Sequence, residues 1–475
     1  MPGYNLSVLA FVALAPFIYV IIKSEINPYF AGLIFSLIFY VTNLRWLITT
    51  ISHFGNAPLY ISVLILILFA FYLSIYWVVF VYFVTRFKGI FIISTLYIIL
   101  EIIKGRLFTG FPWLNLGQSQ FNNTYILSLA SLVGEYGLSF IIIFINLILA
   151  KFFLTKQFKF LIFFLTSILV IYFAGFEIYS KRVIEDSNTT IAIAQPAYEQ
   201  QIKWSQEYTD EIINQVKYLI DKAMKGRSSI IVLPEALFPV LINNDLELLN
   251  YMTNLSYKKP LIFGNIRADN INGKYKFYNS AFYINNGKIE FYDKIHLVPF
   301  GEYFPLQNIF KPVKYYFFGD SDAFSRGSII KNFTYKDISI SPLICYEGAF
   351  VDLVQEAVKK NNDVFVILTN DSWFGNSIGR YQHLAISVIR AVETGKFVIR
   401  AAQSGISACI GPDGKIDNFL DIDKSDIIEC NLRIQKRTTV FNTVQYLWIF
   451  LSLIIIVFNY SVKRFYKLHK QPHKT

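Results

Sequence analysis

Hydrophobic positions are spread unevenly along the chain. Residues 1–176 are a succession of long apolar runs, residues 184–440 alternate short apolar runs with amphipathic stretches, and residues 444–462 are apolar again. A helix needs about 20 apolar residues to cross the ~30 Å hydrocarbon core of a bilayer. Spans are therefore predicted at 5–22, 27–47, 57–84, 89–103, 126–150, 158–176 and 444–462, with 89–103 the shortest. The first run lacks a basic lead and a small-residue cleavage site, so it does not read as a cleaved signal peptide.

The region 184–440 has a different rhythm. Thr190–Ala194, Ile230–Leu233, Leu261–Gly264, Ile338–Ile344, Val364–Leu368 and Phe397–Ala401 read as strands. Ser205–Lys225, Leu246–Leu255, Ala349–Lys359 and Tyr381–Thr394 have helical spacing, the first opening on a serine at an N-cap position. Asn285-Asn286-Gly287 and Gly411-Pro412-Asp413-Gly414 mark hairpins. The mixture predicts an α/β domain of layered sheets and helices, large enough to bury its own core.

Composition supports the first reading and charge refines it. The 475 residues are 54% apolar and 16% charged, against about 25% charged in ordinary soluble domains, and the mean hydropathy is +0.43. A net charge of +11 would suit a nucleic-acid binder, but its placement argues otherwise. Lys23, Arg86, Lys88, Lys151, Lys156, Lys159 and the tail Lys463, Arg464, Lys467, Lys470 and Lys474 fall on one side if the spans alternate; Arg45, Lys104 and Arg106 fall on the other. The positive-inside rule puts the larger set in the cytoplasm and the domain 184–440 outside it. The tail reads as a topology anchor that also meets anionic headgroups. The three cysteines form no disulfide framework. Cys409 and Cys430 read as small buried hydrophobes, a bridge between them being the lesser reading. Cys345 differs, because a polar turn follows it.

That turn carries the chemistry. The strand Ile338–Ile344 ends at Cys345, the run Ile230–Val232 leads into Leu233-Pro234-Glu235, and Lys294 opens the segment to Glu302. A cation beside a thiol favours the reactive thiolate, and Lys294 can supply it. Lys294 and the backbone N–H after Cys345 can stabilise a tetrahedral oxyanion. Glu235 can take the thiol proton and later that of a second nucleophile, with an acyl-thioester between the two steps. His296, between Ile295 and Leu297, reads as structural rather than as the base of a Cys–His dyad. His383, Arg390 and Glu393 share one helix, where Arg390 and Glu393 can pair. Asn370 and Asp371 either line the pocket or form a turn. Phe111-Pro112-Trp113 reads as an interfacial aromatic anchor, with a lipid-pocket role as the lesser option. Five histidines without spaced His/Cys pairs suggest no metal, and no glycine-rich phosphate loop suggests a cofactor.

Glu235, Lys294 and Cys345, in that order, resemble the Glu-Lys-Cys triad of the nitrilase (carbon–nitrogen hydrolase) superfamily. The segments Lys294–Tyr303, Ile344–Glu347, Thr369–Gly375, Gln195-Pro196 with Lys203-Trp204, and Thr109–Trp113 resemble the apolipoprotein N-acyltransferase family over nearly the whole chain. The resemblance implies a polytopic all-α membrane domain at 1–183, an α/β nitrilase-like domain (an α-β-β-α sandwich) at 184–440, and a last transmembrane helix with a basic cytoplasmic tail at 441–475. It implies transfer of an acyl chain from a phospholipid, through a cysteine thioester, to the N-terminal amine of diacylglyceryl-cysteine lipoproteins. It implies a monomer in the bacterial inner membrane, its catalytic domain on the periplasmic side, with no cofactor and no nucleic-acid partner. By resemblance Glu302 is a second acid near the triad, Tyr346 and Glu347 flank the nucleophile, and Trp204 lies on a mobile arm. A membrane-tethered amidase or nitrilase is the competing expectation. One departure is expected: Met1-Pro2-Gly3-Tyr4-Asn5 aligns with the start of the family's second span, leaving about seven spans instead of eight.

Overall fold

The computed structural model describes residues 6–198, 201, 203, 205–305 and 323–454. Trp204, the first five residues and the basic tail lie outside the described residues. Helices α1 (Ala15–Lys23), α2 (Pro28–Asn43), α3 (Trp46–Thr49), α4 (Leu59–Arg86), α5 (Ile90–Lys104), α6 (Thr124–Ser128), α7 (Ala130–Thr155) and α8 (Phe158–Ser180) precede the first strand. Among the described residues α4, α7 and α8 are long and apolar enough to cross a membrane, and α2 forms a pair bent by 53° with Trp46–Phe54.

The apolar runs are thus more broken than their composition suggests, and polar groups explain why. The run at 5–22 folds as a short 3-10 turn, Ser7–Phe11, followed by α1. Asn146 of α7 serves the break: its Oδ1 accepts from the N–H groups of Leu14 and Ala15 at 2.9 Å each, and its Nδ2 donates to Ala10 O at 2.7 Å. A backbone group without water must find such a partner. The predicted span 89–103 is the 15-residue α5. The run at 126–150 is split into α6 and α7, and α7 leaves helical geometry at Gly134 (φ +70). A Cβ there would lie 2.4 Å from Phe441 and 2.8 Å from Glu393, so only glycine fits. The last apolar run begins with α13 (Val440–Val444) and is described to residue 454.

The region between α8 and α13 contains strands β1 (Ile184–Gln195), β2 (Ile230–Val232), β3 (Leu261–Ile271), β4 (Lys274–Asn285), β5 (Lys288–Asp293), β6 (Phe333–Tyr335), β7 (Ile338–Ile344), β8 (Val364–Thr369), β9 (Phe397–Ala402), β10 (Ser407–Ile410), β11 (Ile416–Leu420) and β12 (Asp426–Gln435). They form two six-stranded sheets, ordered β12-β1-β2-β3-β4-β5 and β11-β10-β9-β8-β7-β6. Asn286 (φ +48) and Gly287 (φ +76) make the tight turn between β4 and β5, as the asparagine–glycine pair predicts. The sheets pack face to face through Ile191, Ile193, Val232, Ile340, Ile344, Val366 and Leu368. Outside the first sheet lie α9 (Thr209–Lys225) and α10 (Leu246–Ser256), burying Ile212, Val216, Leu219 and Met252. Ser205 makes no side-chain cap and only precedes the 3-10 turn before α9. Outside the second sheet lie α11 (Val351–Lys359) and α12 (Gly379–Thr394). The result is an α-β-β-α sandwich.

The second sheet's helix layer is also the junction with the membrane helices. Every residue of α12 except Tyr381 is buried, because α7 covers the face that the sheet does not. Ile142 and Ile145 of α7 share one core with Leu384, Val388 and Val392 of α12. The lesser reading of the two structural cysteines also proves correct. Cys409 on β10 and Cys430 on β12 are disulfide-bonded, with Cα atoms 5.5 Å apart. Each is buried on the inner face of its own sheet, so the bridge ties the two sheets together across the core.

Candidate active site

Three strand ends and one loop converge at one rim of the sandwich. Beyond β2, Glu235 enters the cleft where Gly264 of β3 passes so closely that a Cβ on it would lie 2.6 Å from the Glu235 Cα. Glu235 Oε1 accepts from Asn279 Nδ2 at 2.8 Å and from Lys294 Nζ at 3.3 Å, and Oε2 accepts from the Asn370 N–H at 2.9 Å. Lys294 follows β5 and is 1% exposed. Its Nζ also donates to Glu302 Oε1 at 2.9 Å, which Asn279 Nδ2 shares at 2.8 Å; Glu302 Oε2 is fixed by the Val298 N–H at 2.7 Å. The ammonium therefore sits between two carboxylates. Burial works against its charge, but Glu302 and Glu235 outweigh burial and hold Lys294 above its ordinary pKa.

Cys345 stands where β7 ends, half-buried and free, at φ +53. A non-glycine residue in that region costs on the order of 1–3 kcal/mol, which the surroundings must offset. Glu347 supplies much of that support. Its Oε2 accepts from the Ile344 N–H at 2.7 Å; its Oε1 accepts from Tyr292 OH at 2.8 Å and from the N–H groups of Ile295 at 2.7 Å and His296 at 3.1 Å. One carboxylate thus joins the cysteine turn to the lysine loop. Burial pushes the Glu347 carboxyl up to about 6, against the pull of these donors. Burial and then Glu235 push Cys345 well above its ordinary pKa, although Lys294 and Thr369 pull the other way. Burial thus opposes the thiolate that Lys294 favours.

The membrane-side loops roof this rim. Tyr346 OH donates to Gly110 O at 3.0 Å. His296 Nε2 lies 3.1 Å from Thr109 O and its ring stacks 3.5 Å from Phe350; burial pushes its imidazole down to about 4, and it is structural, as read. Trp113 is not an interfacial anchor. It is 2% exposed, its indole N–H donates to Gln382 Oε1 at 2.8 Å, and its ring lies 6.2 Å from Tyr346 and 5.4 Å from His383.

The sequence reading placed Glu235, Lys294, Glu302, Cys345, Tyr346 and Glu347, and the structure brings all six together. It missed Asn279, an amide in a strand that also carries Lys274, Lys276 and Ser280, where nothing in the sequence singles it out. It also missed the connection of His383 to the Cys345 turn. Asn370 does both jobs offered for the pair: its side chain caps its turn, accepting from the Ser372 N–H at 3.2 Å, and its own N–H holds Glu235; Asp371 is buried in the turn behind it.

Two stacked sheets flanked by helices, with a thiol, an ammonium and a carboxylate at one rim, form a domain of the carbon–nitrogen hydrolase class. The carbon–nitrogen hydrolase family matches residues 190–437, and the apolipoprotein N-acyltransferase N-terminal domain matches residues 1–148. The apolipoprotein N-acyltransferase of Haemophilus influenzae is 32% identical over 80% of this chain and 75% of its own length. That of Haemophilus ducreyi is 30% identical over 92% of this chain and 87% of its own. Among solved structures, Nit3 of Saccharomyces cerevisiae, in the nitrilase superfamily, is 18% identical over 54% of this chain and 93% of its own, with a TM-score of 0.40. The chain belongs to the apolipoprotein N-acyltransferase family and is an acyltransferase.

Proposed function

We propose that Cys345 takes an acyl chain from a membrane phospholipid as a thioester and passes it to the N-terminal amine of a diacylglyceryl-cysteine lipoprotein. The observation that carries this reading is the free, half-buried Cys345 thiol beside Lys294 and Glu235, under a roof built from membrane-side loops. In the first step Cys345 Sγ attacks the donor's ester carbonyl while Glu235 takes the thiol proton. The oxyanion forms against the Lys294 ammonium and the Tyr346 N–H. It collapses by breaking the C–O bond, and Glu235 returns the proton to the departing lysophospholipid oxygen. In the second step the lipoprotein amine attacks the thioester, Glu235 takes a proton from the nitrogen, and the C–S bond breaks. The thiol regains its proton and the product is an amide.

Both substrates carry lipid, so a site roofed by membrane-side loops lets an acyl chain arrive without crossing water, favourable by ~0.8 kcal/mol per buried CH₂. The basic loops support a cytoplasmic face opposite the catalytic domain. The Cys409–Cys430 bridge supports placing that domain in an oxidising compartment, the periplasmic side of a bacterial inner membrane. The test is mass spectrometry of lipoprotein N-termini in a strain depleted of this enzyme and complemented with wild type or Cys345→Ala. Wild type restores N-acylation and Cys345→Ala does not; N-acylation that persists with Cys345→Ala would sink the covalent mechanism. Release of free fatty acid in place of the amide would mark a hydrolase.

A further inference from the structure

His383 is 1% exposed and has no part in the steps above. It stands on α12 with its Nε2 3.3 Å from the backbone oxygen of Cys345 and its Nδ1 2.9 Å from Asp371 Oδ1. Asp371 is itself held: Thr369 OH donates to Oδ1 at 3.0 Å, and the Arg400 guanidinium pairs with Oδ2. Burial opposes the Asp371 charge, but Arg400 and His383 keep the carboxyl below its usual range. Gly405 lets the backbone pass beside this carboxylate, where a Cβ would lie 2.4 Å from Oδ2.

The Cys345 oxygen is one end of a peptide unit whose other end is the Tyr346 N–H. The unit is planar and trans, so its C=O and N–H point in opposite directions. A group that fixes the carbonyl therefore aims the N–H. This N–H lies in the first turn of the short helix Cys345–Ala349, where backbone donors have no partner within the helix. Asp371 and the carbonyl are both acceptors, so the ring holds both only when both nitrogens carry protons. Burial and Arg400 oppose that state and lower the imidazole's pKa; Asp371 and the Cys345 carbonyl favour it.

We propose that His383 is a positioning residue: in its imidazolium form, paired with Asp371, it holds the Cys345 carbonyl and so aims the Tyr346 N–H at the oxyanion that forms on the acyl group. The chain Arg400–Asp371–His383 anchors that grip in the second sheet. The proposal rests on the thioester reading and adds to it the residue that sets the oxyanion donor.

The test uses the full chain in phospholipid micelles with a fluorescent-acyl phosphatidylethanolamine, following hydroxylamine-sensitive acylation of Cys345 in a single turnover. His383→Asn keeps a polar group near Asp371 but cannot reach the carbonyl. His383→Gln places an amide N–H where the ring Nε2 stood. His383→Asn should slow acylation about 100-fold, the scale of one lost oxyanion donor, with the half-saturating donor concentration unchanged. His383→Gln should recover at least about tenfold of that loss, the donor having been restored. Iodoacetamide labelling of Cys345 and an intact Cys409–Cys430 bridge report that each variant is folded. Wild-type rates in His383→Asn, a defect confined to half-saturation, or a folded His383→Gln as slow as His383→Asn would each overturn the proposal. A wild-type enzyme that forms no hydroxylamine-sensitive adduct would instead overturn the thioester reading beneath it.

Discussion

Among the described residues, two of the buried cations that lie between two carboxylates, Lys294 and Arg390, sit in contrasting surroundings. At the active site Lys294 lies between Glu235 and Glu302. At the junction with the membrane helices Arg390 of α12 lies between Glu393, one turn along, and Glu135 of α7. The second cluster is closed. Asn115 Nδ2 and Gln118 Nε2 donate to Glu135 Oε1 at 2.7 and 2.9 Å, and the Glu135 N–H, freed by the break at Gly134, donates to Glu393 Oε1 at 2.9 Å. The first cluster opens onto a thiol. The choice of cation follows: the guanidinium is a rigid fork that matches fixed oxygens, whereas the ammonium is a compact charge on a rotatable stem. The carboxylate oxygens are held in both clusters; what differs is the cation, a fork spent on its two partners at the junction and an ammonium that can turn towards a further oxygen beside Cys345.

The comparison breaks most readily at Arg390. Arg390→Met leaves two buried carboxylates facing each other, and such a loss costs about 3–5 kcal/mol. Denaturant unfolding in micelles should show this, with Cys345 labelling unchanged in the folded fraction. Adding Glu135→Gln and Glu393→Gln should recover most of the loss; no loss in the single variant would remove the latch. Lys294→Arg should fold normally yet acylate about 100- to 1,000-fold more slowly, measured in a single turnover; near-wild-type rates would erase the distinction between fork and point charge. Replacing Cys409 and Cys430 together with serine should cost about 2–4 kcal/mol of stability and leave the acylation rate alone, because the bridge lies in the core between the sheets, away from the rim. The smallest step is in pH. Because the thiol is held above its ordinary pKa, its thiolate fraction rises about tenfold per pH unit below that value. Iodoacetamide labelling of Cys345 should keep climbing above pH ~9, where an ordinary thiol has levelled off. A plateau near pH 8 would mean that Lys294 wins over burial after all.

The sequence discloses what is local. Glu235, Lys294 and Cys345 each follow a short apolar run, and a strand end is a local feature; so are the asparagine–glycine turn and the helical spacing of α9. It hides what depends on which faces meet. The apolar neighbours of Cys409 and Cys430 mark both as buried strand positions, but not that their two sheets face each other with the thiols within bonding reach. The helical pattern of α12 reveals the face turned to the sheet; its second face, which carries Arg390 and His383, is buried only because α7 and the loop of Trp113 lie over it. Run length hides the breaks within the apolar segments for a related reason. Gly134 and Asn146 are single residues in apolar surroundings, yet each redirects the backbone through a partner far away in the chain. The balance at the thiol is hidden for the same reason: a nearby cation can be recognised in a sequence, whereas the burial that opposes it cannot.

The strand order has a consequence for how the enzyme is made. β1 opens the catalytic domain and β12 closes it, and the two are paired antiparallel, Ile191 opposite Cys430. Pairing across nearly the whole domain is slow to form, and until β12 arrives β1 presents a bare edge. The first sheet therefore stays incomplete until the last strand of the domain has been synthesised and delivered to the same side of the bilayer. A chain that ends before β12 leaves β1 unpaired along the edge where Ile191 meets Cys430 and lacks one half of the inter-sheet bridge.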